Sequence, residues 1–289
     1  MRPYDFLLYV AVIFGWSTSW YPLSLQLGMV APEVSLVWRF GASGLIMVGI
    51  CLLRGVDMRF GRAEHVRFLL LGMALFSTNF ALFYNASLYA ASGLLAVMLS
   101  MASLINVGLV AAVNRRPPPL LQVAAALTGL AGLGLVFLPE LRMSPTVLPA
   151  MAFGLAGTMS FCVGNMLSST SQGRGVHVLA STGWGMIYGT GFMLLVALVR
   201  GHEFIIDPSP AYLGSLAWLI AISSVLSFAC YLSLIGRIGP GRAAYATVVF
   251  PVFALMISAR YEGYEWTLPS LVGMGLVILG NLMMIRARD

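Results

Sequence analysis

Tryptophan, tyrosine, asparagine and serine recur in this chain where the surrounding sequence is almost wholly apolar. Trp16, Ser17, Thr18, Trp20 and Tyr21 form one cluster, and Ser77, Asn79, Phe83, Tyr84 and Asn85 form a second. Ser100, Met101 and Asn106, Ser160 and Asn165, Ser227 and Tyr231, and Tyr245 and Thr247 follow at wider intervals. Rings offer broad apolar faces, and those of Trp and Tyr carry a polar hydrogen that seeks a partner when buried. Amides and hydroxyls donate and accept without charge. Together they suit the non-covalent capture of a small molecule with an apolar body and polar ends. Bond-making chemistry needs other groups: a nucleophile beside a base, paired acids, or metal ligands. The apolar stretches contain no Asp, Glu or Lys in their interiors, and His65, His177 and His202 fall in loops or at helix ends. There is no P-loop pattern either. The sequence therefore gives no basis for an enzyme, and none for a cofactor or metal ion.

The apolar stretches must themselves hold these groups. Hydrophobic residues make up 60% of the 289 and charged residues only 9%, against about 25% charged in soluble domains. Ten stretches of roughly 20 residues can each span a bilayer as a helix. They run over 6–27, 33–53, 67–91, 93–113, 119–138, 146–170, 177–199, 211–235, 241–259 and 267–286. Pro32, Pro117-Pro118-Pro119, Pro139, Pro145, Pro208, Pro240 and Pro269 stand where these spans should turn. In lipid the backbone must satisfy its own hydrogen bonds, and no short alternating strands of a barrel are visible, so helices are expected. The first stretch is longer than a signal-peptide core and lacks a small-residue cleavage site, so it reads as a retained span. Cys51, Cys162 and Cys230 show no pairing pattern and read as small core residues.

Arginine carries the orientation. With the amino terminus in the cytoplasm, the inside segments hold Arg2, Arg54, Arg59, Arg62, Arg67, Arg115, Arg116, Arg174, Arg237, Arg242, Arg286 and Arg288. Outside loops hold only Arg142, Arg200 and Arg260. This bias places both termini in the cytoplasm. The net charge of +6 then reflects orientation signals and contacts with lipid headgroups rather than nucleic-acid binding.

Sliding the chain against itself by 148 residues aligns Phe80-Ala81 with Phe228-Ala229, Gly93 with Gly241, Ala96 with Ala244, Leu120 with Leu268 and Gly132 with Gly280. A slide of 146 aligns Trp38 with Trp184, Met47 with Met193, Leu52 with Leu198 and Arg54-Gly55 with Arg200-Gly201. These matches divide the chain into two units, 1–142 and 143–289, each of five spans. An odd number of spans turns the second copy upside down. Inverted repeats of this kind are an architecture of secondary transporters, which carry solute at the repeat interface.

Several local motifs resemble the drug/metabolite transporter superfamily in its EamA-domain branch. Phe14-Gly15-Trp16-Ser17 is similar to that family's opening motif, and Val37-Trp38-Arg39-Phe40 to its second helix. Ala243 to Phe253, with Pro251, is similar to the ninth helix, and Gly273 and Gly280 to the glycines of the last. Ser103 stands where the first repeat usually has a proline, Arg115-Arg116-Pro117 replaces the usual Leu-Gly-Glu, and Gly185 lacks the counterpart of Arg39. The resemblance implies ten helices around a central cavity in the bacterial inner membrane. Within the branch, the chain resembles the YddG-type aromatic amino-acid exporters.

From these readings, Trp16, Ser17, Trp20, Asn79, Phe83, Tyr84, Met101, Asn165, Ser227, Tyr231 and Tyr245 are expected to line a substrate cavity. Taken singly, each could instead serve only an interhelical hydrogen bond. Pro22 and Pro251 interrupt the bonding of their helices and are expected to act in gating. Arg39, near the outer end of span two, is expected to be a structural charge that snorkels outward or pairs with Glu33 or another outer acid. Glycines such as Gly41, Gly44, Gly129, Gly132, Gly185, Gly189, Gly273 and Gly275 read as close helix contacts. The expected function is export of small organic solutes, amino acids foremost, by alternating access. A channel-like facilitator and an exporter of other metabolites or drugs remain open alternatives. The partners are the solute and membrane lipids, and a monomer is compatible with the sequence.

Overall fold

The computed structural model describes residues 3–115, 117–143, 147–243 and 245–286, and no strand occurs among them. Seven helices are long and apolar enough to cross a membrane, and three shorter apolar helices accompany them. In chain order we label α1 (Pro3–Ser24), α2 (Pro32–Leu53) and α3 (Arg62–Ala86). Next come α4 (Ser92–Ser100 and Ala102–Asn114), α5 (Leu120–Met143), α6 (Val147–Gly173) and α7 (Val178–Val199). The chain continues with α8 (Pro210–Trp218, Leu219–Leu226 and Ser227–Ala243), α9 (Tyr245–Tyr261) and α10 (Leu268–Arg286). Apolar side chains cover the outside as well as the core: Leu53, Leu120 and Val199 are each at least 80% exposed. That is how a helix facing hydrocarbon differs from one facing water.

Two expectations about helix ends are corrected. The first apolar stretch is not one continuous helix, because α1 breaks at Thr18–Ser19 between Pro3–Ser17 and Trp20–Ser24. Pro22 explains the position of the break, since a proline ring crowds the carbonyl four residues earlier, here that of Thr18. The Thr18 hydroxyl donates to the Phe14 carbonyl at 2.8 Å, and the Ser19 hydroxyl donates to that of Gly15. Pro139 does not end span five, because α5 continues through it to Met143. A proline forfeits its own amide bond, but the residues after it can still bond backwards.

The helices pack by a rule. α2 lies on α7, α4 on α9 and α5 on α10, while α1 contacts α8 and α9, and α6 contacts α3 and α4. Exchanging each helix with the one five later leaves this scheme unchanged. The finest contacts obey the same exchange. A Cβ on Gly132 would lie 2.6 Å from the Gly273 carbonyl oxygen and 2.6 Å from the Val277 nitrogen. One on Gly280 would lie 2.7 Å from the carbonyl oxygen of Ala125 and 2.7 Å from the nitrogen of Gly129, the positions 148 residues before Gly273 and Val277. Wider π turns interrupt α3 over Ala74–Thr78 and α8 over Leu219–Leu226, and the same shift superposes them. A serine hydroxyl caps a freed carbonyl in each: Ser77 donates to Gly72 at 2.9 Å and Ser227 to Ile222 at 2.7 Å.

Ion pairs tie the helix ends. Asp5 pairs with Arg237 at 2.7 Å, and Glu64 with Arg174 at 3.2 Å and with its neighbour Arg67. At other helix ends Glu33 meets Arg200 at 2.5 Å and His202 at 3.5 Å.

Candidate functional site

A cavity of about 40 Å³ lies among α1, α2, α3, α4, α6 and α8. Trp16, Trp20, Phe80, Phe83, Phe161 and Phe228 give it aromatic walls, Leu23, Leu99 and Leu219 add aliphatic ones, and Ser19, Arg39, Asn79 and Ser223 supply polar groups. One water needs about 10–15 Å³, so the space has room for about three or four waters. The rings close it. Trp16 packs edge-on to Phe228 at 5.5 Å, Phe250 at 5.9 Å and Phe161 at 6.1 Å, with Tyr231 tilted against it at 4.7 Å. Trp20 meets Phe83 edge-on at 5.1 Å. Each such aromatic pair contributes about 0.5–1.5 kcal/mol beyond its burial, and these pairs cross between helices, so they hold the walls together.

Local sequence explains how the walls are set. Trp16 and Trp20 are four residues apart, one turn on a continuous helix, and the break before Trp20 lets the two rings take different headings. Gly15 permits this packing: a Cβ there would overlap the Ser227 side chain. On α8, the π turn carries Ser223 and Ser224 toward α2. There the Arg39 Nε donates to Ser224 Oγ at 2.9 Å, and Nη2 to Ser223 Oγ at 3.0 Å. Its guanidinium lies 4.4 Å from the Phe80 ring centre and 5.0 Å from that of Phe40.

Arg39 is fully buried. It neither snorkels outward nor pairs with Glu33, whose carboxylate is taken by Arg200 and His202. The outer-acid expectation is therefore corrected: serines and rings solvate this cation. Its third nitrogen, Nη1, has no hydrogen-bond partner. The Tyr84 hydroxyl is near enough to feel the charge but makes no hydrogen bond of normal geometry.

Of the residues expected to bind solute, Trp16, Trp20, Asn79 and Phe83 meet at the cavity. The others sit elsewhere. Ser17 donates to the Phe250 carbonyl at 3.2 Å, beside Pro251, and so ties α1 to the interruption in α9. Ser227 is used by the π turn, and Tyr231 packs behind Trp16. Tyr84 is buried and does not reach the cavity wall. Met101 is buried at the break in α4. Asn165 is buried in α6 with neither polar side-chain atom bonded. The side chain of Tyr245 lies outside the described residues. Ser19, Leu23, Phe80, Leu99, Phe161, Leu219, Ser223 and Phe228 complete the wall without having been expected there. Ser223 and Phe228 are five residues apart, a spacing that does not share a face on a regular α-helix, so the π turn that brings them together hid them from the sequence.

Residues 148–286 match the EamA-like transporter family. The likeness to that family thus lies in the second half of the chain. Beyond it, the chain is 26% identical to an uncharacterized inner membrane transporter, YicL, from Salmonella typhimurium, over 175 residues. That alignment covers 60% of this chain and 56% of the relative. A solved crystal structure is similar across 98% of both chains with a TM-score of 0.69 and 17% identity, so the fold is shared. The matched segment contributes Phe161, Leu219, Ser223 and Phe228 to the cavity. The preceding half contributes Trp16, Ser19, Trp20, Leu23, Arg39, Asn79, Phe80, Phe83 and Leu99. Both parts of the chain are needed to enclose it.

Proposed function

We propose that this protein is a multi-pass inner-membrane secondary transporter that exports small organic solutes by alternating access through this cavity. Amino acids with neutral or aromatic side chains are the leading solute class. The observation that carries the reading is the cavity itself. It lies between two parts of the chain whose packing is unchanged when each helix is exchanged with the one five later. In this reading, 1–142 and 143–289 are two five-helix repeats, inverted with respect to each other, with both termini in the cytoplasm. The ion pairs support that orientation. Asp5, Glu64, Arg174 and Arg237 fall on the arginine-rich side, and Glu33, Arg200 and His202 on the other, so no pair would cross the bilayer. Two halves of like shape and opposite sense can exchange conformations and pass one central site from face to face. The aromatic closure suits a carrier that must occlude its solute between openings.

Reconstitution into liposomes tests this. Vesicles loaded with an unlabelled amino-acid panel should take up the labelled counterpart by saturable counterflow. Flux that rises linearly with concentration would mean a pore instead. Uptake no faster than in protein-free vesicles, for every solute tried, would remove the transporter reading.

A further inference from the structure

We infer that Arg39 is the anion-binding residue of the cavity, and that the transported solute must present a carboxylate or an equivalent organic anion to its guanidinium. This rests on the transporter reading above. An arginine keeps its charge inside proteins, and an isolated buried charge is among the costliest groups to leave uncompensated. Arg39 is 0% exposed, yet it belongs to none of the ion pairs among the described residues. Two of its nitrogens are fixed by Ser224 and Ser223, which holds the guanidinium plane rigid. Nη1 makes no hydrogen bond of normal geometry, the neutral Tyr84 hydroxyl lies within its interaction range, and the residue itself lines the cavity. A tyrosine hydroxyl nearby cannot serve as counter-ion, because phenols stay protonated near neutral pH. The cation is thus braced by neutral groups and has no counter-ion among the described residues.

A second group in the same cavity fits the same solute. Asn79 Nδ2 donates to the Leu75 carbonyl at 3.3 Å. A carbonyl can only accept, so this bond also fixes which end of the amide points away. The remaining atom, Asn79 Oδ1, is buried and has no partner. One wall thus offers a charged donor and another a neutral acceptor, with rings between them. A carboxylate on the first and an N–H group on the second describes an amino acid or an acylated amine. A solute with a cationic head and no anion would place like charge beside Arg39.

Binding of three probes to the purified full chain, read by tryptophan fluorescence, separates these groups: phenylalanine, 3-phenylpropionate and phenethylamine. Both carboxylates should bind, and phenethylamine should bind at least tenfold more weakly. Arg39→Gln should weaken both carboxylates at least tenfold, and Arg39→Lys should recover part of the loss. Asn79→Leu should weaken phenylalanine and leave 3-phenylpropionate unchanged. Because the comparison among probes uses the unaltered protein, it stands even if an Arg39 variant does not fold. Phenethylamine binding as tightly as the carboxylates would overturn the inference, as would a folded Arg39→Gln protein that binds them normally. Counterflow in liposomes with the same probes and a neutral sugar panel tells the two failures apart. Movement of amines or sugars without carboxylates sinks the role of Arg39 and leaves the transporter intact. If nothing binds or moves, the transporter reading fails and this inference falls with it.

Discussion

The α5–α10 seam and the central cavity are built from opposite materials. At the seam, glycine meets backbone: Gly132, Gly273 and Gly280 sit where any Cβ would press within 2.6–2.7 Å of a facing main-chain atom. At the cavity, large rings meet one another across helices, and two polar atoms remain without partners. Glycine contacts have one arrangement and no side chain to move. Ring contacts can be exchanged for others of similar energy by rotation about two torsions. The contrast assigns the seam to permanence and the cavity to rearrangement. Both lie in lipid, where burial of apolar surface gives little drive between helices and close packing has to hold the bundle together.

The sharpest way to break this contrast is to put side chains into the seam. Gly132→Val combined with Gly273→Val should destabilise the protein by more than about 3 kcal/mol, the upper end of single overpacking costs. Thermal unfolding in detergent would show this, and a melting curve like that of the unaltered protein would remove the seam's special status. A cavity change should act on transport instead. Trp20→Leu is expected to lower uptake roughly 10- to 200-fold, the range for a change in one pocket contact, with a much smaller shift in unfolding than the seam pair. Equal loss of fold in both would erase the distinction.

Smaller effects sharpen it. Pro251 leaves α9 without one backbone bond near the Ser17 contact. Pro251→Ala should restore that bond, stiffen the helix and change transport rate several-fold while expression stays level, as initial-rate uptake per folded protein will reveal. Ser17→Ala removes a single hydrogen bond to Phe250 and should cost about 0.5–1.5 kcal/mol, a modest fall in melting temperature.

Much of the frame was legible in the chain. Long apolar stretches and the proline punctuation anticipated where most of the helices lie. Trp16, Trp20, Asn79 and Phe83 stood out because rings and an amide are conspicuous inside apolar helices. Phe80, Phe161, Leu219 and Phe228 did not, since phenylalanine and leucine are ordinary in any span and only packing decides which face the cavity. The partners of Arg39 were hidden for a further reason. A π turn inserts a residue into the helical repeat, so the side chains beyond Leu219 depart from the 3.6-residue pattern by which faces are read. The break in α1 was readable in principle from Pro22, four residues beyond Thr18, and the run of helix through Pro139 was not.

Two-sided access to the cavity is the most direct test of the central claim. Cys51, Cys162 and Cys230 are buried and form no disulfide, so they can be replaced by alanine and a single cysteine placed at Ser223 in the cavity wall. A membrane-impermeant thiol reagent should then label Ser223→Cys from either face of oriented vesicles, and a transported solute should slow labelling from both. Labelling from one face alone, unaffected by solute, would contradict a site that alternates between the two sides of the membrane.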